Sequence, residues 1–139
     1  MFRVALNAAD RQKAMVVRGI VFVGEQQISY QETFDECDET AVLILGERDG
    51  EPFATARIRN FESYAKLERI AVLQAYRLQG YGTKLLDFAI EYCQQQNIRT
   101  FKLSGQIRSK AFYKKYGFQD EGDRFVDAGI EHCTFTLKT

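Results

Sequence analysis

Arg77-Leu78-Gln79-Gly80-Tyr81-Gly82-Thr83 is the stretch from which the fold is read. Before it, Ala65 to Val72 is strand-like; after it, Leu85, Leu86, Ala89, Ile90 and Cys93 form one helical stripe, so the two glycines stand where a strand hands over to a helix. A helix start presents N–H groups without intrahelical partners and a partial positive charge. Glycine at 80 and 82 lets a diphosphate approach the backbone without meeting a Cβ, which makes the segment a candidate phosphate cradle. A Walker loop needs Gly-Lys-Ser/Thr, whereas Thr83 precedes Lys84; a dinucleotide fingerprint needs a small residue where Leu85 stands. Nucleoside triphosphates and NAD are therefore disfavoured. Taken alone, the glycines are also compatible with a tight turn and nothing more.

Upstream, Phe2 to Leu6 reads as a strand, and Asn7 caps a helix carrying Ala14, Val17, Val21 and Phe22 at helical spacing. Arg18 falls on that face, where a guanidinium is costly unless it is paired, faces a cavity or snorkels from the helix edge. Glu32 to Glu39 is acidic and aperiodic, and is expected to be a solvated loop with at most a short helix. Ala41 to Leu45 and Pro52 to Asn60 flank Asp49-Gly50, the strongest hairpin signal in the chain, and Ala65 to Val72 continues the same meander. Gly80 to Gln96 is the best helix, closed by Asn97. Downstream come a strand over Thr100 to Ser104, a helix over Arg108 to Tyr116 stopped by Gly117, and a strand pair, Gln119 to Val126 with Glu131 to Lys138. This order predicts an α/β fold, helices flanking one mixed, mostly antiparallel sheet.

With 139 residues, one proline and no linker or repeat, residues 1–139 are expected to form a single domain. Nineteen basic residues balance nineteen acidic ones, so no global charge draws the chain to nucleic acid or an anionic membrane. The nearest basic cluster, Arg108, Lys110, Lys114 and Lys115, is spread around one short helix. Three cysteines without a ligand spacing suggest neither a disulfide framework nor a metal site, and fit a reducing cytoplasm. No signal-like or membrane-spanning run is present; the longest apolar run is Ala41 to Leu45.

Arg-x-x-Gly-x-Gly following Leu67-Glu68-Arg69-Ile70-Ala71-Val72 resembles the acetyl-CoA-binding motif of the GCN5-related N-acetyltransferases (GNAT). Ala111-Phe112-Tyr113-Lys114-Lys115-Tyr116-Gly117-Phe118 resembles the family's second signature, and the element order agrees. Arg18-x-x-Val21-Phe22-Val23-x-Glu25-Gln26, Asp35-x-x-Asp38 and Asp127 to His132 resemble the YjcF/ElaA-like branch. The resemblance implies a GNAT-like fold and direct transfer of acetyl from acetyl-CoA to a primary amine of a small molecule or peptide. It also implies that the diphosphate rests on the amides of Leu78 to Thr83 after Arg77, that the pantetheine arm pairs like an added strand with Ile70, Ala71 and Val72, and that Phe112 belongs to the cofactor side. Gln106 stands where many members of the family carry asparagine, so that asparagine's contact does not transfer directly.

A thioester is already activated, so an amine attacks it without a covalent enzyme intermediate. By resemblance Tyr113 is the acid that protonates the leaving thiolate; its place before Gly117-Phe118 equally suits a packing ring. Glu68, Glu25 and His132 are candidates for the base, with a water relay as a further possibility. Glu68 is expected to share a strand face with Ile70 and Val72. A non-catalytic acyl-CoA-binding module is the alternative reading, and a homodimer through a sheet edge is compatible with either.

Overall fold

A computed structural model describes residues 1–139. The chain runs through β1 (Phe2–Val4), α1 (Ala8–Arg18), a π-helical segment (Gly19–Glu25), α2 (Tyr30–Thr33) and a short turn of helix at Glu36–Glu39. It continues through β2 (Val42–Arg48), β3 (Glu51–Asn60), β4 (Ala65–Val72), α3 (Tyr81–Gln94), β5 (Thr100–Gln106) and α4 (Lys110–Tyr116). Three strands close it: β6 (Gln119–Asp120), β7 (Phe125–Asp127) and β8 (Ile130–Lys138).

The strands form one sheet in the order β1-β2-β3-β4-β5-β8-β6, with β7 also on β8. Every pairing is antiparallel except β4 with β5, which α3 joins as a crossover. Asp49 and Gly50 take φ 52° and 80°, the left-handed pair that a two-residue hairpin requires. One face of the sheet packs on α3, whose Leu85, Leu86 and Cys93 are buried against Phe53, Phe101 and Phe135. Each fully buried leucine there contributes roughly 1.5–3 kcal/mol relative to an exposed one. The opposite face receives α1 and the π-helical segment through Val17, Val21 and Ala71. Asn7 caps α1 as expected, its Oδ1 accepting from the Asp10 N–H at 2.8 Å.

Three expectations are corrected, and among the alternatives for Arg18 pairing is the one found. The expected strand Gln119 to Val126 is broken into β6 and β7, because Asp120 accepts from the Gly122 N–H and Asp123 accepts from both the N–H and hydroxyl of Thr134. These side-chain bonds compete with the ladder and turn the chain. Arg18 neither faces a cavity nor snorkels: it is buried and donates to both oxygens of Asp38 at 2.7 Å.

The acidic loop is likewise not simply solvated. Asp35 and Asp38 take buried Arg57 at 2.6 and 3.0 Å, and the Arg69 guanidinium reaches Asp35 at 3.4 Å. Finally, Glu68 does not share a face with Ile70 and Val72. Thr55 pairs with Ala71 and Arg57 with Glu68, so Ala56 opposes two residues of β4, Arg69 and Ile70, with Arg69 at φ 52°. This bulge inserts one residue and swaps the alternation. Leu67, Ile70 and Val72 therefore join the α3 side, while Glu68 and Ala71 turn toward α1.

Candidate active site

β4 and β5 pair only at Ala65 with Phe101 and Lys66 with Lys102, then diverge. On its other edge β5 pairs with β8 along its whole length, from Thr100 opposite Lys138 to Gln106 opposite His132. The bulge on one side and this pairing on the other leave a wedge between the two strands. A cavity of about 750 Å³ occupies it, walled by Glu68 to Val72 of β4, by Ser104 to Gln106 of β5, and by Glu25 of the π-helical segment. A second cavity of about 770 Å³ lies at the start of α3, lined by Leu78, Gly80, Gly82, Thr83, Phe112 and Lys115, among others. Val72 and Arg77 line both, so the cavities meet there.

The second cavity has the chemistry of an anion site. Gly80 precedes α3 in the left-handed region at φ 84°, and no side chain caps the helix, so the first-turn N–H groups are left to an external acceptor. Gly80 has open space where a Cβ would stand, but a Cβ on Gly82 would lie 3.1 Å from the Phe112 ring. Gly82 is thus needed for helix–helix contact as well as for ligand access. Tyr81 lines the cavity and accepts from Arg48 at 2.9 Å. Gln79 lines neither cavity; its side chain donates to the Ala75 carbonyl at 3.0 Å.

Tyr113 reaches the first cavity from α4. Its ring packs edge-on against Phe118, and the Phe118 N–H donates to the Tyr113 carbonyl at 3.0 Å across Gly117. The packing role is therefore present, and the same ring lines the wedge. Burial pushes its phenol up to about 12, so it stays protonated throughout the neutral range.

His132 also lines the wedge. Its Nδ1 lies 2.7 Å from the Ile130 carbonyl oxygen and its ring stacks on Phe125. With Nδ1–H donating to that carbonyl, Nε2 of the neutral ring is the nitrogen with a free lone pair. Glu25 is paired with Arg77 at 2.9 Å. Glu68 is surrounded: Arg57 stands at 3.2 Å, Lys66 at 3.7 Å, and Arg59 donates to both of its oxygens. Burial opposes its ionisation, but Arg59, Arg57 and Lys66 outweigh burial and hold the carboxyl below its ordinary range.

Of the sequence candidates, Tyr113, His132, Glu25, Glu68, Gln106, Ile70, Ala71 and Val72 come together at the wedge. Arg77, Leu78, Gly80, Tyr81, Gly82, Thr83 and Phe112 gather at the second cavity, and Gln79 stays outside it. Three residues here were given no role from the sequence. Gln26 accepts from Gln106 Nε2 at 2.7 Å and ties the π-helical segment to β5, while Arg108 Nε donates to Gln106 Oε1 at 2.7 Å. Arg69, through its left-handed backbone, makes the bulge that opens the wedge. Gln26 and Arg69 act through partners far away in the chain.

Residues 11–139 match the family described as acetyltransferase (GNAT) domain. The uncharacterized protein YyaT of Bacillus subtilis is 36% identical over 101 residues, covering 70% of this chain and 68% of that protein. The uncharacterized N-acetyltransferase YjcF of the same organism is 35% identical over 79 residues, covering 57% and 56%. The crystal structure of Escherichia coli ElaA shares the fold, with TM-score 0.88 over 99% of both chains at 23% identity. No helix of the chain is long and apolar enough to cross a membrane.

Proposed function

Because the chain belongs to the GNAT acetyltransferase family, in the branch of YjcF and ElaA, we propose that it transfers the acetyl group of acetyl-CoA directly to a primary amine of a small molecule or peptide. Acyl-CoA-dependent acetyl transfer follows from the family itself; the residue roles and the acceptor class are this reading. The observation that carries it is the adjacency of the two cavities, which share Val72 and Arg77 as walls and so set an anion-binding helix start beside a wedge lined by Tyr113 and His132.

In this reading the diphosphate rests on the free N–H groups at the start of α3, with Lys115 nearby. The pantetheine arm enters the wedge, where β4 beyond the bulge has no β5 partner and offers backbone groups from Ile70 to Val72. The amine nitrogen attacks the thioester carbonyl, the C–N bond forms, and the C–S bond breaks as a thiolate leaves. His132 Nε2 takes the proton the amine must shed. Tyr113 donates toward the leaving sulfur. A phenol near 12 is a weaker acid than a thiol of ordinary pKa of about 8.5, so it keeps its proton and stabilises the leaving thiolate as a hydrogen-bond donor, while the amine's proton stays with His132. Glu68, held as a carboxylate by its cations, is a poor base and serves to orient Arg57 and Arg59 below the wedge.

Tyr113→Phe tests the assignment, because it removes one hydroxyl and keeps the ring against Phe118. With acetyl-CoA and a panel of primary amines, kcat falls ~10²-fold while acetyl-CoA affinity and thermal stability stay near wild type. His132→Gln lowers kcat similarly and leaves acetyl-CoA affinity near wild type. Full turnover in both variants would refute these roles.

A further inference from the structure

Arg77 is the one charged side chain that lines both cavities. Its Nε donates to the Val72 carbonyl at 2.8 Å, which anchors the guanidinium at the junction. Its terminal NH2 donates to Glu25, which stands at 2.9–3.0 Å on the wall of the wedge. A guanidinium anchored at Nε changes the partner of its terminal nitrogens without leaving its place. The partner it would meet from the other cavity is the diphosphate, a stronger and doubly charged acceptor, at the neighbouring helix start.

We propose that Glu25 and Arg77 form a charge-exchange latch: the cosubstrate's diphosphate takes the Arg77 guanidinium, and the Glu25 carboxylate thereby released becomes the subsite that holds the ammonium of the acceptor in the wedge. The inference rests on the reading of the two cavities given above. Charge balances at each stage, since one anion replaces another on Arg77 and one cation replaces another on Glu25. Binding at the two ends is then coupled, and by linkage each ligand strengthens the other to the same degree. Glu25 is a binding and positioning residue in this scheme, and no proton passes through it.

The latch opposes the first ligand, so weakening it strengthens CoA binding. In calorimetric titrations, Glu25→Gln binds CoA about two- to fivefold more tightly than wild type, the span expected of a half-exposed ion pair. S-acetylpantetheine, which lacks the diphosphate, binds both proteins equally. Saturating n-butylamine tightens CoA binding by the wild type and leaves it unchanged in Glu25→Gln. Unchanged or weaker CoA binding in Glu25→Gln, or an equal gain for S-acetylpantetheine, would overturn the latch. A wild-type affinity for CoA indifferent to n-butylamine would overturn the ammonium subsite. Failure of the wild type to bind CoA at all would sink the cofactor reading and the latch with it, an outcome distinct from the others.

Discussion

The start of α3 walls the second cavity and the strap of residues 19–39 walls the first, and the two are held in place by opposite means. The helix start is fixed by backbone: a left-handed Gly80, an N-terminal turn without a side-chain cap, and a stripe of leucines that seats α3 on the sheet. Its chemistry is present as soon as the helix forms. The strap has few apolar anchors, chiefly Val21, and is bound down by ions instead. Asp38 bridges Arg18 and Arg57, Asp35 bridges Arg57 and Arg69, and Arg69 also donates to the carbonyls of Glu32 and Thr33 at 3.0 Å. A region built by local periodicity tolerates losing any one polar contact. A region built by shared buried charges does not, because removing one member strands the others.

The largest effect should therefore fall on the strap. Asp38→Asn takes from Arg18 the one carboxylate it pairs with and from Arg57 one of three, and each arginine is 1% exposed. We expect a loss of roughly 3 kcal/mol and a melting temperature lower by about 10 °C, read by denaturant and thermal unfolding. A loss under ~0.5 kcal/mol, the range of an ordinary surface substitution, would erase the contrast drawn here. Acid probes the same network without mutation. Burial disfavours the ionised forms of Asp35 and Asp38, but their arginines outweigh it and hold both below the ordinary 3.8. Their folded-state pKa values are depressed, so the stability they contribute is present above pH 3.8 and is lost as pH falls through the folded values. Hydrogen exchange below that pH should open residues 30–39 before α3. Simultaneous opening would mean the strap is no weaker than the helix.

A smaller effect is expected at the helix start. Gly82→Val places a branched side chain against Phe112, whose ring stands 3.1 Å from the Cβ position, and against the bound diphosphate. Acetyl-CoA affinity falls by about tenfold, with a modest stability loss from the contact with α4. Adding Phe112→Ala separates the two causes: stability recovers because the clash is gone, and affinity does not. If affinity recovers too, the glycine serves the helix contact and not the ligand.

The smallest effect concerns the acidic stretch as an attractant for a cationic acceptor. Asp35 and Asp38 are already spent on arginines, which leaves Glu32 as the member of this stretch lining the wedge. Glu32→Gln should raise the acceptor KM by about twofold at low salt and leave kcat unchanged, the difference vanishing as ionic strength rises. A KM independent of both the substitution and the salt would remove Glu32 from the account.

Much of this molecule is legible along the chain, and the reason is local. The Asp49-Gly50 hairpin, the stripe of α3, Gly117 after α4 and the glycine-bearing helix start each announce themselves within a few residues, because turns, caps and periodicity are properties of neighbours. Together they determine the order of elements, the mixed sheet and the place of the phosphate cradle. What the chain alone did not decide depends on partners distant in sequence. Glu68 looks like a companion of Ile70 and Val72 until the bulge at Arg69, set by pairing with β3, turns it to the other face. Arg18 and the Asp35–Asp38 pair look like an unexplained cation and a solvated acidic run until folding brings Asp38 to 2.7 Å from Arg18 and Asp35 to 2.6 Å from Arg57, where exclusion of water converts surface charge into structure. The tautomer of His132 and the meeting of Glu25 with Arg77, 52 positions apart, are decided in the same way. Side-chain electrostatics acts through space, and only the tertiary fold determines which charges are near.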